Sequence, residues 1–312
     1  MKKELNAAVK KSTSKIDEIF LFRAMAKEFN HSIISKSTYV KEIHGNKSKV
    51  EFSSKYKLGG SANTELGDLL IFTFDKATQE LRMCILQAKY KQSRYYRFLN
   101  SKANLFQWEL LHDKPPIINK SKFHFPPDIL NFRTDYKSIS AYGIFYHDNI
   151  LRDIDFLFTL PDFFVPHSMP RSPIANGDRC FNFRCPFGLG SPNNVCTKGI
   201  TRKEAISTCS IDVFENQVLL CKVGVPIPNK TPIGRWVLTL LNNMREYADN
   251  PEVINELLNF YNDDITEYTY SFDETPSALI VITDSNKYEE LCMEYMKDER
   301  IHCKNMSYKD YI

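Results

Sequence analysis

The part of the sequence that decides the fold spans residues 65–90 and reads ELGDLLIFTFDKATQELRMCILQAKY. It contains two apolar runs, Leu66–Phe74 and Leu81–Tyr90, which are separated by a polar connection at residues 75–80. Apolar runs of this length between polar residues are typical of β-strands, and a short polar connection between them favours a hairpin. The stretch therefore predicts two neighbouring antiparallel strands.

Three polar side chains meet at the open end of this predicted hairpin. If Phe74 pairs with Leu81 across the turn, the antiparallel register places Asp68 opposite Gln87. Since side chains alternate along a strand, Lys89 then shares a face with Gln87. A strand pair that is otherwise apolar tolerates a charged Asp and Lys when they pair with each other or serve a site. Polarity alone leaves both interpretations open, a structural ion pair or a functional site.

Cationic and aromatic residues alternate directly after this polar group, in the run YKQSRYYR that begins at Tyr90. We expect Lys91, Arg94 and Arg97 to contact phosphates, because Lys and Arg neutralise the charge of a nucleic-acid backbone. We expect Tyr90 and Tyr95 to stack on the bases of a splayed strand. The alternative for these two rings is packing on the face of a helix.

Helix and strand patterns both occur in the rest of the chain, which indicates a mixed α and β fold. Helical patterns are found at residues 16–29, Ala103–Leu111, 233–244 and Val253–Tyr261. The third of these is a clear amphipathic helix, with apolar residues three and four apart. Strand patterns are found at Thr38–Ile43, Lys49–Ser53, Ile139–Tyr146, Ile154–Leu160, Ile211–Val225 and Ala278–Thr283. Pro, Gly and Asn are frequent in residues 161–194, which predicts a long irregular loop.

The composition is that of an ordinary globular protein. The 312 residues allow one large domain or two of moderate size, and 43% hydrophobic with 25% charged residues excludes wholesale disorder. No apolar run reaches the roughly 18 residues that a membrane span needs. The basic N-terminus is not followed by an apolar region and a small-residue cleavage site, so we expect no secretory signal. These observations predict a cytoplasmic protein without a membrane partner.

Charge is distributed unevenly along the chain. Residues 1–245 contain 36 Lys and Arg against 22 Asp and Glu, a net charge of +14. Residues 246–312 contain 5 against 16, a net charge of −11. A basic body suits a polyanionic partner, and an acidic end suits a basic one. Two solvated faces of opposite charge are the alternative.

The cysteines do not form an extracellular disulfide framework, and we expect most of the eight to be reduced thiols. Cys180, Cys185, Cys196 and Cys209 are separated by four, ten and twelve residues, with His167 nearby in sequence. Zinc sites usually begin with two ligands that are two to four residues apart. Scattered thiols are therefore the favoured interpretation, and a structural zinc site is the alternative.

The hairpin residues resemble the core of the restriction-endonuclease-like nucleases, whose signature is written PD-(D/E)xK. The matching stretches are Glu65-Leu66-Gly67-Asp68-Leu69-Leu70-Ile71 and, after the turn, Ile85-Leu86-Gln87-Ala88-Lys89. Gly67 stands where the family has Pro, and Gln87 replaces the acidic residue, a variation that some branches of the family admit. The resemblance covers roughly residues 15–150, less than half of the chain.

This resemblance implies an α/β fold with a restriction-endonuclease-like core, in which helices flank a mixed central sheet, and an additional α+β C-terminal part. We expect the nuclease-like core at residues 1–160. A recognition or regulatory part is expected at residues 161–312, either separate or packed with the core as one domain. The resemblance also suggests that the helix carrying Gln107 and Trp108 lies near the hairpin, with Trp108 in the core.

A site for Mg²⁺ or Mn²⁺ is also implied by the resemblance. Asp68 would be the anionic ligand, the Gln87 side-chain carbonyl a neutral one and the Ala88 backbone carbonyl a third. Hard oxygen donors of this kind are those that Mg²⁺ prefers. Lys89 would orient or help to deprotonate the attacking water and would stabilise charge on the phosphorane.

An amide at position 87 removes one negative charge, so the metal site calls for another acid. Glu65 is the first expectation, although it lies three residues before Asp68 and so starts on the opposite face of the strand. Glu18 and Glu28, on the preceding helix, are the alternatives.

The resulting hypothesis is a metal-dependent nuclease that hydrolyses phosphodiester bonds, with DNA as the expected substrate. By analogy with the family, it would be a bacterial restriction or anti-phage defence effector, acting as a homodimer or with a partner defence protein. Two other hypotheses remain. One is a non-catalytic nucleic-acid-binding module that keeps the nuclease fold, which Gln87 favours. The other is a protein-interaction adaptor that docks a basic partner through residues 246–312.

Overall fold

A computed structural model describes residues 1–13, 16–30, 34–41, 49–91, 101–121, 123–133, 139–147, 153–183, 208, 210–228, 230–261, 272 and 276–294. The helices are α1 Lys2–Lys11, α2 Glu18–Glu28, α3 Leu105–Asp113, α4 Ile211–Leu219, α5 Pro232–Met244 and α6 Pro251–Asn259. The first strands are β1 Ser35–Val40, β2 Lys49–Ser53, β3 Ser61–Glu65, β4 Leu69–Asp75, β5 Glu80–Lys91, β6 Ser101–Asn104 and β7 Ile118–Asn119. The later strands are β8 Ser140–His147, β9 Ile154–Thr159, β10 Phe164–Pro166, β11 Asp178–Phe183, β12 Val225–Pro226 and β13 Ala278–Thr283. Residues 285–294 are also helical. Within these ranges, no helix has the length and apolar character needed to cross a bilayer.

A mixed sheet forms the centre of the molecule, in the order β1-β13-β4-β5-β8-β9, with β12 paired to β5. The pairs β13–β4 and β5–β8 are parallel, whereas β1–β13, β4–β5 and β8–β9 are antiparallel. Two smaller three-stranded sheets, β10-β11-β6 and β3-β2-β7, lie outside the central sheet. The long connections that parallel pairs require account for the helices between the strands.

Helices cover both faces of the central sheet, and the alternation of side chains in the strands explains why. In β4, Leu70, Phe72 and Phe74 belong to one hydrophobic cluster, whereas Leu69 and Ile71 belong to another. The first cluster includes apolar residues of α3, α5 and α6, and the second includes those of α1, α2 and α4. A strand that is buried on both sides reads as a continuous apolar run, as β4 does. The prediction of a mixed sheet flanked by helices is confirmed.

The predicted hairpin register is confirmed over the paired residues. Phe74 is the partner of Leu81, and Leu69 is the partner of Leu86. Asp68 immediately precedes β4, and its backbone N–H donates to the Leu86 carbonyl at 2.9 Å. The same register therefore continues far enough to bring Asp68 beside the last residues of β5.

Strand β13 has the bounds that the sequence predicts, and it lies inside the central sheet rather than at its edge. It pairs with β1 on one side and with β4 on the other. All six of its residues are buried. Residues from both the N-terminal and the C-terminal half of the chain therefore share one sheet.

The prediction of strands over Ile211–Val225 is wrong for most of that segment. Residues Ile211–Leu219 form helix α4, and only Val225 in the segment belongs to a strand. Ser210 caps the helix, since its hydroxyl accepts a hydrogen bond from the Val213 N–H at 3.4 Å. The predicted irregular region 161–194 contains the strands β10 and β11, and its residues after 183 lie outside the described part of the chain.

Candidate functional site

A cleft of about 320 Å³ opens at the end of the β4–β5 hairpin that is remote from its turn. Its charged lining residues come from three elements and the start of the hairpin: Glu18, Glu65, Asp68 and Lys89. Most of the remaining lining residues are apolar and include Ile19, Phe22, Tyr39, Leu69 and Pro276. The structure therefore brings Asp68 and Lys89 together in one concave surface with two further carboxylates.

One carboxylate oxygen of Asp68 is held from two sides. Its Oδ2 accepts a hydrogen bond from the Ala88 backbone N–H at 2.8 Å and another from the Gln87 side-chain Nε2. Gln87 is only 1% exposed, so this contact is shielded from water. Asp68 Oδ1 accepts no hydrogen bond from a described residue. The carboxylate is thus fixed through one oxygen while the other is left available.

Gln107, in the first turn of α3, completes this arrangement from the far side of Gln87. It is 5% exposed, and its Nε2 donates to the Glu65 backbone carbonyl at 3.1 Å and to the Gln87 side-chain oxygen. Asn104 caps α3, since its side chain accepts a hydrogen bond from the Phe106 N–H at 2.9 Å. The helix lies near the hairpin, as the resemblance suggested.

The expected ligand role of the Gln87 carbonyl remains a prediction, and the contact of that oxygen in the structure is with Gln107. The Ala88 carbonyl lies 3.4 Å from Gln87 Nε2. Gln87 and Lys89 are two residues apart on β5 and so share a strand face. Trp108 is a core residue, 5% exposed, and its Nε1 donates to the Pro161 carbonyl at 3.1 Å.

The surroundings of Asp68 raise the pKa of its carboxyl group to about 6. The main cause is the replacement of water by protein around the carboxyl group, and the carboxylates of Glu65 and Glu18 raise the pKa further. The Lys89 ammonium and the Ala88 N–H act in the opposite direction. Asp68 as a residue is exposed, so water still reaches part of it although protein surrounds most of the carboxyl group.

Two hydrogen bonds position Glu18: one caps the start of α2, and the other joins the Glu18 carboxylate to the end of β5. Asp17 caps α2 by accepting a hydrogen bond from the Phe20 N–H at 2.9 Å, which places Glu18 in the first turn. Glu18 Oε1 accepts from the Tyr90 backbone N–H at 2.8 Å, at the end of β5. Glu28 lies at the other end of α2, about 15 Å along the helix, and does not line the cleft.

Close packing explains why residue 67 is a glycine. A Cβ atom added to Gly67 would lie 2.7 Å from Ile85 Cγ2 and 3.1 Å from the Leu86 carbonyl oxygen. A larger residue at position 67 would push the backbone away from β5, and the neighbouring Asp68 would move with it. Gly67 therefore allows the close approach that the hydrogen bonds of Asp68 require.

Tyr142 is a further residue of this region that the sequence did not indicate. It is the register partner of Gln87 on the parallel strand β8 and is fully buried. Its hydroxyl has no hydrogen-bond partner within the described chain. Burial raises the pKa of this hydroxyl, and the nearby Asp68 carboxylate adds to the effect. Tyr142 lies near Gln87 and Asp68 because β5 pairs with β8, and this pairing joins parts of the chain that are distant in sequence.

Most of the residues expected to contact nucleic acid lie at or beyond the end of β5. Tyr90 is half-buried, and burial together with the Glu18 carboxylate raises the pKa of its hydroxyl. Lys91 is the last residue of β5, and its side chain is not described. Arg94, Tyr95 and Arg97 lie outside the described residues.

The zinc alternative falls mainly outside the described part of the chain. Cys180 is an exposed free thiol on β11, and its backbone carbonyl accepts from the His167 N–H at 2.8 Å. Cys185, Cys196 and Cys209 are not described. Among the described residues, no group of three or more His, Cys, Asp or Glu is arranged to hold a metal ion.

The chain matches no protein-family model, and no match to it was found among curated proteins or solved structures.

Proposed function

We propose that this protein is a metal-dependent nuclease that hydrolyses phosphodiester bonds, with the cleft at the open end of the β4–β5 hairpin as its active site. The observation that carries the proposal is the meeting of Asp68 and Lys89 in one cleft with Glu18 and Glu65. A carboxyl group whose pKa is raised by its surroundings, beside an amine in a cleft, is typical of functional sites.

The donors in this cleft suit a hard divalent cation such as Mg²⁺ or Mn²⁺. Asp68 offers an oxygen that accepts no hydrogen bond from a described residue, and the described lining residues add the carboxylates of Glu18 and Glu65 and the ammonium of Lys89. Mg²⁺ usually keeps several waters and needs only one or two protein carboxylates. The ligands proposed are Asp68 and the Ala88 carbonyl, with Glu65 or Glu18 as the additional acid.

The residues of the chain then have separate tasks. A bound cation supplies positive charge that stabilises the scissile phosphate. Lys89 orients the attacking water or, as a neutral amine, takes its proton, and the protonated ammonium stabilises negative charge that develops on the phosphate. Apolar lining residues such as Phe22 and Leu69 lower the local polarity of the cleft and so strengthen these interactions.

The restriction-endonuclease-like core is part of the same proposal. Supporting observations are the mixed sheet with helices on both faces, the hairpin with its polar open end, and α2 preceding the sheet and lining the cleft. DNA is the substrate proposed, in keeping with the net charge of +14 over residues 1–245. A role as a restriction or anti-phage effector, with a homodimer or a partner protein, is proposed by analogy with the family alone.

A cleavage assay with matched controls tests the proposal. Supercoiled plasmid is incubated with the purified protein and Mg²⁺ or Mn²⁺, and conversion to open-circular and linear forms is followed. Asp68→Asn and Lys89→Met should abolish cleavage, while the exposed controls Asp128→Asn and Lys222→Met should cleave like wild type. Equal cleavage by all five proteins, or none by wild type with either metal on plasmid, single-stranded DNA and RNA, contradicts the proposal.

A second candidate is a nucleic-acid-binding module that does not cleave. The contact of the Gln87 oxygen with Gln107 favours it, because that oxygen is then unavailable to a cation. Calorimetric titration with Mn²⁺, followed by titration with DNA, separates the two functions. Tight binding of DNA without any binding of Mn²⁺ that depends on Asp68 supports the module.

A further inference from the structure

The oxygen and the nitrogen of the Gln87 side-chain amide contact different residues, and these contacts determine the orientation of the amide. Its oxygen contacts Gln107, and its nitrogen contacts Asp68. The two amide side chains are enclosed around this contact, with Gln87 and Gln107 at 1% and 5% exposure. A buried amide in such a place cannot exchange one partner for water without a cost in free energy.

The orientation of the Gln87 amide follows from a backbone carbonyl, which can only accept, at the end of this series of hydrogen bonds. The Glu65 backbone carbonyl accepts only, so the atom of Gln107 that lies 3.1 Å from it must be the Nε2 donor. The same Nε2 also faces Gln87, which must therefore present its oxygen. The remaining end of Gln87, its Nε2, then points to Asp68 as a donor. The direction of the Gln87 amide is thus determined by Gln107.

The result is an asymmetric Asp68 carboxylate. Both donors, Gln87 Nε2 and the Ala88 N–H, contact Oδ2, while Oδ1 accepts no hydrogen bond from a described residue. If the Gln87 amide were reversed, its oxygen would face the carboxylate, and the two acceptors would repel each other. Asp68 would then turn or lose its fixed position.

We propose that Gln107 is a positioning residue that acts through Gln87 to fix Asp68 by Oδ2, so that Oδ1 is the oxygen offered to a divalent cation in the cleft. The part of this inference that concerns the cation rests on the proposed function. The part that concerns the orientation of the Gln87 amide does not.

The first test uses the side-chain amide signals in NMR spectra of the full chain without metal. In wild type, the Gln87 Nε2 protons should show a short contact to the Ala88 amide proton and slow exchange with water. Gln107→Met removes the donor and keeps the side-chain length, so exchange of the Gln87 protons should accelerate roughly threefold to tenfold. Gln79→Met, at the turn of the same hairpin, is the matched control and should leave these signals unchanged. Unchanged Gln87 signals in a folded Gln107→Met protein overturn the proposal.

The second test measures Mn²⁺ affinity by calorimetry in a double-mutant cycle. Gln107→Met should weaken Mn²⁺ binding about tenfold in the wild-type background. It should cause no further loss in a Gln87→Met background, because the effect travels through Gln87. An equal loss in both backgrounds overturns the proposal. If Gln107→Met does not fold, Gln107→Glu replaces it, and the contact between the Gln87 Nε2 protons and the Ala88 amide proton should disappear because the carboxylate reverses the amide.

The two proposals fail in different ways. A protein that never cleaves nucleic acid but shows the expected amide signals loses the nuclease function and keeps the positioning role. A protein that cleaves, with Gln87 signals that ignore Gln107, loses only the positioning role.

Discussion

The Glu18 carboxylate accepts a hydrogen bond from the Tyr90 backbone N–H at 2.8 Å, which joins the first turn of α2 to the end of β5. Tyr90 is also the first residue of the basic and aromatic run of the sequence. The contact places a negative charge in the cleft at the point where the hairpin ends. Glu18 therefore links the position of the helix to the charge of the proposed site.

Glu18→Gln tests the contribution of this charge. The amide oxygen can still accept from Tyr90, so the stability of the protein should change little, within about 0.5 kcal/mol. Removal of a carboxylate from the cleft should weaken Mn²⁺ binding about tenfold or more. Calorimetric titration measures the affinity, and urea unfolding measures the stability. Glu289→Gln, an exposed acid on the helical residues 285–294, is the control. Full Mn²⁺ affinity in Glu18→Gln contradicts a role for Glu18 at the site.

Asp68 predicts a dependence of stability on pH. Its pKa is about 6 in the folded protein, above the ordinary value of about 3.9 for the unfolded chain. The folded state therefore holds the proton more tightly, and the stabilisation from this group is complete below about pH 4 and is lost as the pH rises through 6. Without metal, Asp68→Asn should be more stable than wild type at pH 8, and the difference should shrink towards pH 4.

Urea unfolding of both proteins at pH 4, 5, 6 and 8 provides the measurement for Asp68. Asp128→Asn, an exposed residue, is the control and should follow wild type at every pH. A difference between Asp68→Asn and wild type that is constant over this range shows that Asp68 does not have a raised pKa.

Gly67→Ala should destabilise the protein by about 1–3 kcal/mol, because the new methyl group overlaps Ile85 Cγ2 and the Leu86 carbonyl. Denaturant unfolding gives the change in free energy. Ile85→Leu, which removes the Cγ2 methyl at constant volume, should recover part of the loss when combined with Gly67→Ala. The absence of any destabilisation would mean that β4 and β5 do not approach each other as closely as the structure has them.

Tyr142→Phe should leave the stability unchanged or raise it by about 1 kcal/mol, because the buried hydroxyl has no partner among the described residues. Thermal or urea unfolding provides the check. Tyr288→Phe is the contrasting variant, since the Tyr288 hydroxyl donates to Asn216, and it should cost about 1 kcal/mol or less. A clear loss of stability in Tyr142→Phe would reveal a bound water or another partner for the hydroxyl.

The hairpin could be predicted from the sequence because its information is local. The lengths of two apolar runs and one polar turn determine the register, and the register brings Asp68 to Gln87. The contacts of Gln107 and Tyr142 could not be predicted in the same way. They depend on the docking of α3 and on the parallel pairing of β5 with β8, which join distant parts of the chain.

The sequence of α4 favours strands because it is rich in large apolar residues, although the segment forms a helix. The signals for a helix were the serine before it and the spacing of Ile211, Phe214 and Val218 at i, i+3 and i+7. The polar residues between them form the exposed side of a short helix rather than alternating positions of a strand. In a segment of nine residues, the two patterns differ at only a few positions.

The insertion of β13 between β1 and β4 has a consequence for biosynthesis. During synthesis, the edge of β4 that faces away from β5 stays unpaired until Ala278–Thr283 has been translated, because β13 is its partner strand. The Leu70 N–H also waits for the Ser277 carbonyl, which it contacts at 2.9 Å, and the cleft gains Pro276 and Ser277 on its wall only then. A chain truncated before β13 therefore exposes an unpaired β-strand edge and has an incomplete cleft. Such a truncated product is expected to aggregate through the unpaired edge of β4, which β13 covers in the folded protein.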